Sequence, residues 1–344
     1  MFLNISRLLK NMTEKQFNQR LMEENAFTDI LGQEEAKYQL KSALLMGRHV
    51  IIVGAPGIGK TTLAKNAAKL LPDMTVNSCG YNCTDEKPIC PECRSGKKTA
   101  KKKSNGASRF VRLQGSPDLT SEDLLGDIEP IKALKYGPAS TEAFTPGKIF
   151  KANNGILFFD ELNRCPQKLQ NALLQVLEEK KATIGSYSID FEADFIFIGT
   201  LNPNDSTTEN LSEVFLDRCD LVYMTYPETL ETEIKIVKEK GKKETEFPEK
   251  LLTEMIAFVR NLRENPKLEK LPSVRASIGL YERAQANAML AKRKTAEAED
   301  VRNALISVLA HRIELKPSAR YTETAKHFLE QEINEKFGAS GDYR

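Results

Sequence analysis

Residues 50–65, VIIVGAPGIGKTTLAK, constrain the fold of this chain more than any other stretch. The β-branched run Val50, Ile51, Ile52 and Val53 predicts a buried strand. It breaks into a glycine loop, and Lys60-Thr61-Thr62-Leu63 then opens a helical pattern. The loop fits G-x-x-x-x-G-K-[ST], with Gly54, Gly59, Lys60 and Thr61 in the fixed places. Phosphate chemistry explains that spacing. The loop Gly54-Ala55-Pro56-Gly57-Ile58-Gly59 can curl backbone N–H groups around phosphate oxygens, and the helix N-terminus adds a positive dipole end. Lys60 can reach the β- and γ-phosphates of a nucleotide, and the Thr61 hydroxyl can hold Mg²⁺, with Thr62 beside it in the same turn. A chance glycine turn is the plain alternative, and a strand before with a helix after weighs against it. The loop specifies a nucleotide and leaves the reaction open.

At 344 residues the chain is long enough for two domains with their own cores. Its 40% hydrophobic and 28% charged residues are those of an ordinary globular protein, and a net charge of +2 argues neither for nor against nucleic acid. Residues 1–10 are too short for a secretory signal, and no apolar run is long enough to span a bilayer, so a cytoplasmic location is expected.

Residues 1–26 read as a polar, partly helical lead-in that contains a second candidate start, Met12. Residues 27–226 then carry the strand-rich pattern. Within Phe27–Gln33, Ile30, Leu31 and Gln33 are candidates to pack beside a nucleotide base, with helix-entry packing as the alternative. Next, Cys79, Cys83, Cys90 and Cys93 form C-x3-C-x6-C-x2-C within an insertion at 79–93. Two short-spaced pairs can converge on one tetrahedral ion, and thiolates suit Zn²⁺ or an iron–sulfur cluster. Zn²⁺ is the preferred reading, against a cluster or unligated thiols. Four thiolates leave no open coordination position, which predicts a structural rather than catalytic centre. Cys165 and Cys219 lie elsewhere and read as buried or incidental. The basic run Lys97, Lys98, Lys101, Lys102 and Lys103 reads as a solvated, mobile loop. No aromatic residues interleave it as a stacking platform for nucleic acid needs.

Phe110–Leu113 predicts a second strand, and 118–150 is an excursion too long for a simple connection. The third strand, Gly155–Phe159, ends in Asp160-Glu161. Beside a phosphate loop, Asp160 can position Mg²⁺ and Glu161 can orient the attacking water, which favours hydrolysis over transfer. Helix capping by the same acids is the alternative. Residues 167–180 form an amphipathic helical pattern, and 182–191 a short hairpin around Gly185. Phe195–Thr200 is the fourth strand, with Asn202 at its end where a side chain can meet the γ-phosphate or the attacking water. Leu221–Met224 is the fifth, preceded by Leu216-Asp217-Arg218. This alternation predicts an α/β fold with a parallel five-stranded sheet and ligands at its carboxyl edge. From 227 to 337 only helical patterns remain, which predicts an all-helical second domain, followed by a flexible tail at 338–344. Arg275 stands at a helix start after Pro272, where it can point back at a nucleotide. His311 and His327 have no companion ligands nearby and read as surface or packing residues.

Taken in order, GAPGIGKTT, ILFFDE, FIFIGTLNP, LDR and PSVRA resemble an AAA+ ATPase across residues 27–315. The resemblance implies that Lys60 and Thr61 are Walker A, Asp160 and Glu161 Walker B, and Asn202 sensor 1. Arg218 would be the arginine finger and Arg275 sensor 2. It also implies a ring, usually of six, because the finger acts on a neighbouring subunit's ATP. Residues 160–179 resemble the Walker B helix of the MoxR family. Residues 127–161 resemble the ATPase I subunit of magnesium chelatase. Both families have a helix-2 insertion, here 118–150, and a hairpin before sensor 1, here 182–191. Cys219 stands where the finger motif usually carries an aromatic residue, and the four-cysteine insertion is not part of the plain plant-type chelatase pattern.

The function expected from this resemblance is an ATP-hydrolysing ring motor. It would drive remodelling or metal insertion by a partner protein with a von Willebrand A domain. A DNA-handling machine related to the minichromosome maintenance helicases is the alternative, supported only by the hairpin and the Lys97–Lys103 run. A nucleotide-binding scaffold with little turnover is the third reading, and Glu161, Asn202 and Arg218 together argue against it.

Overall fold

The computed structural model describes residues 13–96, 99–137, 140–183, 190–203 and 211–337. The apolar runs form five strands: β1 (His49–Val53), β2 (Phe110–Gln114), β3 (Ile156–Asp160), β4 (Ile196–Leu201) and β5 (Cys219–Tyr223). They lie side by side in the order β5-β1-β4-β3-β2, and every pairing is parallel. A parallel sheet buries both faces, which is why these strands read as continuous apolar runs. Ile51, Ile52, Leu157 and Phe158 have no exposed surface, and burying each such side chain is worth about 1.5–3 kcal/mol. Parallel neighbours need crossover connections. Helices α1 (Glu34–Leu45), α2 (Lys60–Leu70) and α3 (Gln167–Glu179) stand between strands or before them. Leu169, Leu173, Val176 and Leu177 recur at helical spacing along α3 and are its buried stripe.

By its internal contacts the chain divides into two compact units. The first holds the residues up to Ile30, then Glu34–Gly54 and Gly59–Met224. The second holds Leu31–Gln33, Ala55–Ile58 and the residues from Thr225 onward. The short helix α4 (Glu213–Asp217) completes the first unit, ahead of β5. The second contains α5 (Leu230–Lys240), α6 (Glu249–Glu264), α7 (Val274–Leu290), α8 (Ala298–Leu309) and α9 (Ala325–Phe337), and it departs from the all-helical expectation in a short ribbon that pairs Leu268–Lys270 antiparallel with Glu314–Leu315. Its core includes Met255, Val259, Leu280, Leu305 and Phe328.

Several details differ from the sequence reading. Lys101, Lys102 and Lys103 are not a mobile loop. Lys101–Ser104 is a strand paired antiparallel with Met74–Asn77, and backbone pairing orders the lysines while their side chains stay exposed. Lys97, Lys98, Pro138 and residues 184–189 lie outside the described residues, as do 1–12 and 338–344. Part of the lead-in, 13–22, is a helix whose Phe17 and Leu21 are buried. Lys181–Thr183 pairs antiparallel with Asp190–Glu192 as the hairpin pattern requires. The excursion at 118–150 is built of short pieces. A ribbon pairs Gly126–Ile128 with Phe144–Pro146, and helices span Ser121–Leu125, Pro130–Tyr136 and Lys148–Lys151. Among the described residues no helix is long and apolar enough to cross a membrane.

Candidate active site

The parallel register aligns one edge of the sheet. Val53 stands opposite Leu201, Phe159 opposite Gly199, and Gln114 opposite Asp160. The chain leaving β1 at Gly54, the acidic tip of β3 and Asn202 after β4 therefore emerge on the same edge, with β4 between the other two. Backbone bonds stitch this edge: Gly54 N–H donates to the Leu201 carbonyl at 3.1 Å and Gly115 N–H to the Asp160 carbonyl at 2.7 Å.

Gly59 is the N-cap of α2, at φ +107° with no side-chain cap hydrogen bond, and it opens the helix end that favours an anion. Lys60 and Thr61 occupy the first turn and are half-buried. The Lys60 ammonium donates to the Gly54 carbonyl, which holds it over the start of the loop. Thr62 accepts from the Asn66 side chain through its carbonyl at 2.8 Å. Ile30 and Met224 flank Gly59, at 3.4 and 3.8 Å from where a Cβ would stand. Gln33 is occupied by the backbone of Thr225, donating to its carbonyl at 2.7 Å and accepting from its N–H at 3.2 Å.

The acidic pair is wired through Thr200 of β4. Its hydroxyl donates to Asp160 Oδ1 at 2.7 Å and accepts from the Glu161 N–H at 2.8 Å. Thr200 is almost fully buried. Arg112 of β2 donates to Asp160 Oδ2 at 2.6 Å. Gln114 donates to Glu161 Oε2 at 2.9 Å, and Arg164 pairs with that same oxygen at 3.1 Å. Asp160 is the last residue of β3 rather than the first beyond it, and Glu161 sits in the left-handed region at φ 54°. A side chain at position 115 would collide with the Glu161 carbonyl at 2.1 Å, so glycine is required for β2 to end beside this tip. Asn163 Nδ2 reaches the Asn202 carbonyl at 3.4 Å, which ties the end of β4 to the same turn.

Arg218 is the residue that closes α4. It donates to Glu178 Oε1 of α3 at 2.6 Å and to the Val214 carbonyl at 2.8 Å. It thus stands apart from the Asp160–Glu161 network. In the second unit, Gly57 is at φ +79°, and a Cβ there would lie 2.7 Å from Ser273 Oγ and 3.1 Å from Arg275 Cδ. Arg275 is in the first turn of α7, and its stem lies against Gly57. A buried ion cluster fixes that helix start. Arg263 donates to the Pro272 carbonyl at 2.8 Å and makes two bonds of 2.7 Å to Glu233. Ser277 donates to Glu233 at 2.6 Å. Arg260 reaches Glu233 at 3.4 Å and the Pro227 carbonyl at 2.8 Å. Burial pushes the Glu233 carboxyl up, yet Arg263, Ser277 and Arg260 outweigh it and hold it below the usual carboxylate range.

The four cysteines converge. The sulfurs of Cys79, Cys83, Cys90 and Cys93 all lie within 4.8 Å of one another, and none is in a disulfide. A tetrahedral ion with metal–sulfur bonds of about 2.3 Å needs sulfurs about 3.8 Å apart, which this grouping can meet with small adjustments. Backbone N–H groups of Ile89 and Cys90 point at Cys83 Sγ at 3.3 and 3.4 Å, and that of Cys93 at Cys90 Sγ at 3.3 Å. The donor set and its amides fit a thiophilic cation. A hydrogen bond from Cys83 brings the Cys79 thiol down to about 5, and burial pushes Cys90 up to about 12. Cys165 and Cys219 are buried, and burial pushes Cys219 up to about 12.

Sequence reasoning missed Arg112, Gln114, Thr200 and the Glu233 cluster. A weak signal existed for the first two, because FVRLQ interrupts an apolar strand with polar residues at alternate positions.

A five-stranded parallel sheet in this order, with the phosphate loop on β1 and acids on β3, defines the AAA+ class of P-loop ATPases. Three family models match parts of the chain. They are the magnesium chelatase, subunit ChlI, over 26–101, the ATPase family associated with various cellular activities (AAA) over 95–221, and the AAA lid domain over 264–332. The magnesium-chelatase subunit ChlI-2 of Arabidopsis thaliana is 30% identical over 325 residues, covering 85% of this chain and 76% of that protein. The chain belongs to the AAA+ ATPases of the magnesium-chelatase-like group, which hydrolyse ATP. The uncharacterized protein YeaC of Bacillus subtilis is 26% identical over 329 residues, covering 88% of this chain and 89% of that one. In fold alone, the chain is similar to NtrX from Brucella abortus, with a TM-score of 0.50 at 15% identity, covering 98% of this chain and 68% of that one.

Proposed function

We propose that this ATPase works as a ring, of six subunits in our reading, and drives a partner protein carrying a von Willebrand A domain. ATP would lie on the loop Gly54 to Gly59, with Lys60 on its β- and γ-phosphates. Thr61 and Asp160 would hold Mg²⁺, which when bound neutralises developing phosphate charge. Glu161 would orient and deprotonate the attacking water. Asn202 and Arg275 would contact the γ-phosphate, and Arg218 would act on the ATP of the neighbouring subunit.

The observation that carries this reading is the Thr200 hydroxyl, bonded to both Asp160 and the Glu161 backbone. Such wiring fixes the Asp160 carboxylate and the Glu161 backbone together, which supports a metal-holding role for the first and a water-orienting role for the second. The resemblance of residues 160–179 to MoxR and of 127–161 to chelatase subunit I supports remodelling or metal insertion as the work done, in the cytoplasm. The cysteine centre would hold a structural Zn²⁺.

Glu161→Gln tests the assignment. We expect ATP binding within about twofold of wild type and turnover reduced at least about 100-fold, the usual scale for a general base. Normal turnover would overturn the role of Glu161. Arg218→Ala should bind ATP and fail to turn it over, with activity returning in rings mixed with Glu161→Gln subunits. No recovery in any mixture rejects a role in trans. Turnover indifferent to von Willebrand A proteins but raised by DNA would move the function to DNA handling.

A further inference from the structure

The four-cysteine segment contains one short helix, Pro91–Arg94. Such a segment has little regular structure of its own, yet it is docked on two functional insertions. Cys83 and Cys90 are buried within the core of the first unit. The Tyr81 ring packs against Phe150, with centroids 5.9 Å apart. Asn82 Nδ2 donates to the Lys151 carbonyl at 2.7 Å, and Asn154 Nδ2 donates to the Asn82 carbonyl at 3.0 Å. Asn153 donates to the Tyr81 carbonyl at 3.1 Å and accepts the Asp194 N–H at 3.1 Å. These contacts seat the end of the helix-2 insertion and the turn into β3. On the other side, Lys87 and Arg94 pair with Glu192 of the hairpin before β4, at 3.3 and 4.0 Å. One small module therefore touches the end of the insertion, the hairpin, and the turns that lead into β3 and β4.

We propose that a thiophilic divalent ion on Cys79, Cys83, Cys90 and Cys93 locks the helix-2 insertion and the hairpin into one body. Metal occupancy then sets the order of these two segments and leaves the nucleotide loop unaffected. The proposal rests on the four-thiolate reading above. Its physical basis is that metal binding to a segment without its own core is folding energy for that segment. The nucleotide loop begins instead from β1, whose ladder bonds run to β4 and β5 and not to the cysteine segment.

The test uses the full chain, purified under reducing conditions, with zinc content and hydrogen exchange measured before and after stripping by a thiol-reactive mercurial and chelator. We expect about one zinc per chain. Stripping should raise exchange at least about tenfold in 148–154 and 190–196, where Ala152, Asn154 and Ala193 donate backbone bonds. That is the scale of losing one or two net hydrogen bonds' worth of local stability. Exchange in 49–54 and affinity for a fluorescent ATP analogue should change less than about twofold. A chain that takes up no zinc even when offered it overturns the four-thiolate reading and the proposal with it. Zinc present, with exchange in 148–154 and 190–196 unmoved by stripping, overturns the proposal alone. Equal acceleration in 49–54 also overturns it, since the ion would then hold the whole unit. Asn82→Ala avoids any folding failure of cysteine variants. It should retain zinc and speed exchange a few-fold in 148–154 only, and loss of zinc in that variant would count against the proposal.

Discussion

The protein uses paired charges in two ways. At the tip of β3, Arg112 and Asp160 have side chains 51% and 14% exposed, and Arg164 and Glu161 are 43% and 37% exposed. In the second unit, Glu233 is fully buried and Arg263 is 7% exposed. The chemistry is the same, guanidinium against carboxylate, and the surroundings decide what it does. Near water, an ion pair is worth little to stability, about 0–1 kcal/mol, and its members are free to exchange partners. The metal and the water proposed for this site would need that freedom. Buried, the same pair cannot be opened without stranding a charge, so it becomes a fixed joint. That joint links residues 227–229, α5, α6 and the start of α7, which bears Arg275.

The strongest test of this contrast is Arg263→Ala. It leaves Glu233 buried with its main partner gone and should cost about 3–5 kcal/mol in denaturant unfolding of the second unit. A loss below about 1 kcal/mol would remove the distinction between the two clusters. Thr200→Val is next. It keeps the shape and removes the hydroxyl, leaving the Glu161 N–H unsatisfied at a cost of about 1–3 kcal/mol. Turnover should fall more than ATP affinity, which a steady-state comparison of kcat with KM reads directly. Acid sharpens the comparison further. Glu233 has a folded pKa held below its unfolded value, so its contribution is complete above the ordinary carboxylate range. It is lost as pH falls through the lower folded value. Thermal melts between pH 6 and 3 should show the second unit losing stability in that range, and Glu233→Gln should flatten the slope. The smallest effect belongs to Arg112→Ala, which should change stability by less than about 1 kcal/mol. It frees Asp160 Oδ2, so the Mg²⁺ concentration needed for half-maximal turnover should fall.

The clusters also differ in how far the sequence discloses them. The tip was legible, because ILFFDE is a local pattern and an acidic pair after an apolar strand stands out. Its supports were less so. Arg112 meets Asp160 only because β2 pairs with β3 in one register, and register is a long-range property. Glu233 was not legible. In LETEIKIVKEK it reads as one more acidic residue on a charged helix surface, and its partners come from 27, 30 and 44 residues away. The lysines at 101–103 misled for the opposite reason. Charge suggested solvation, which is correct for the side chains, but the backbone was free to form a ribbon.

The left-handed backbone at Glu161 has an evolutionary consequence. An L-residue other than glycine or asparagine pays about 1–2 kcal/mol to stand there. Glu161→Gly or Glu161→Asn should therefore make the folded chain harder to melt while abolishing turnover. With Glu161 in the role proposed above, position 161 would be a place where selection for a robust protein and selection for a working one pull in opposite directions. Lineages that no longer need hydrolysis would be expected to lose this glutamate early.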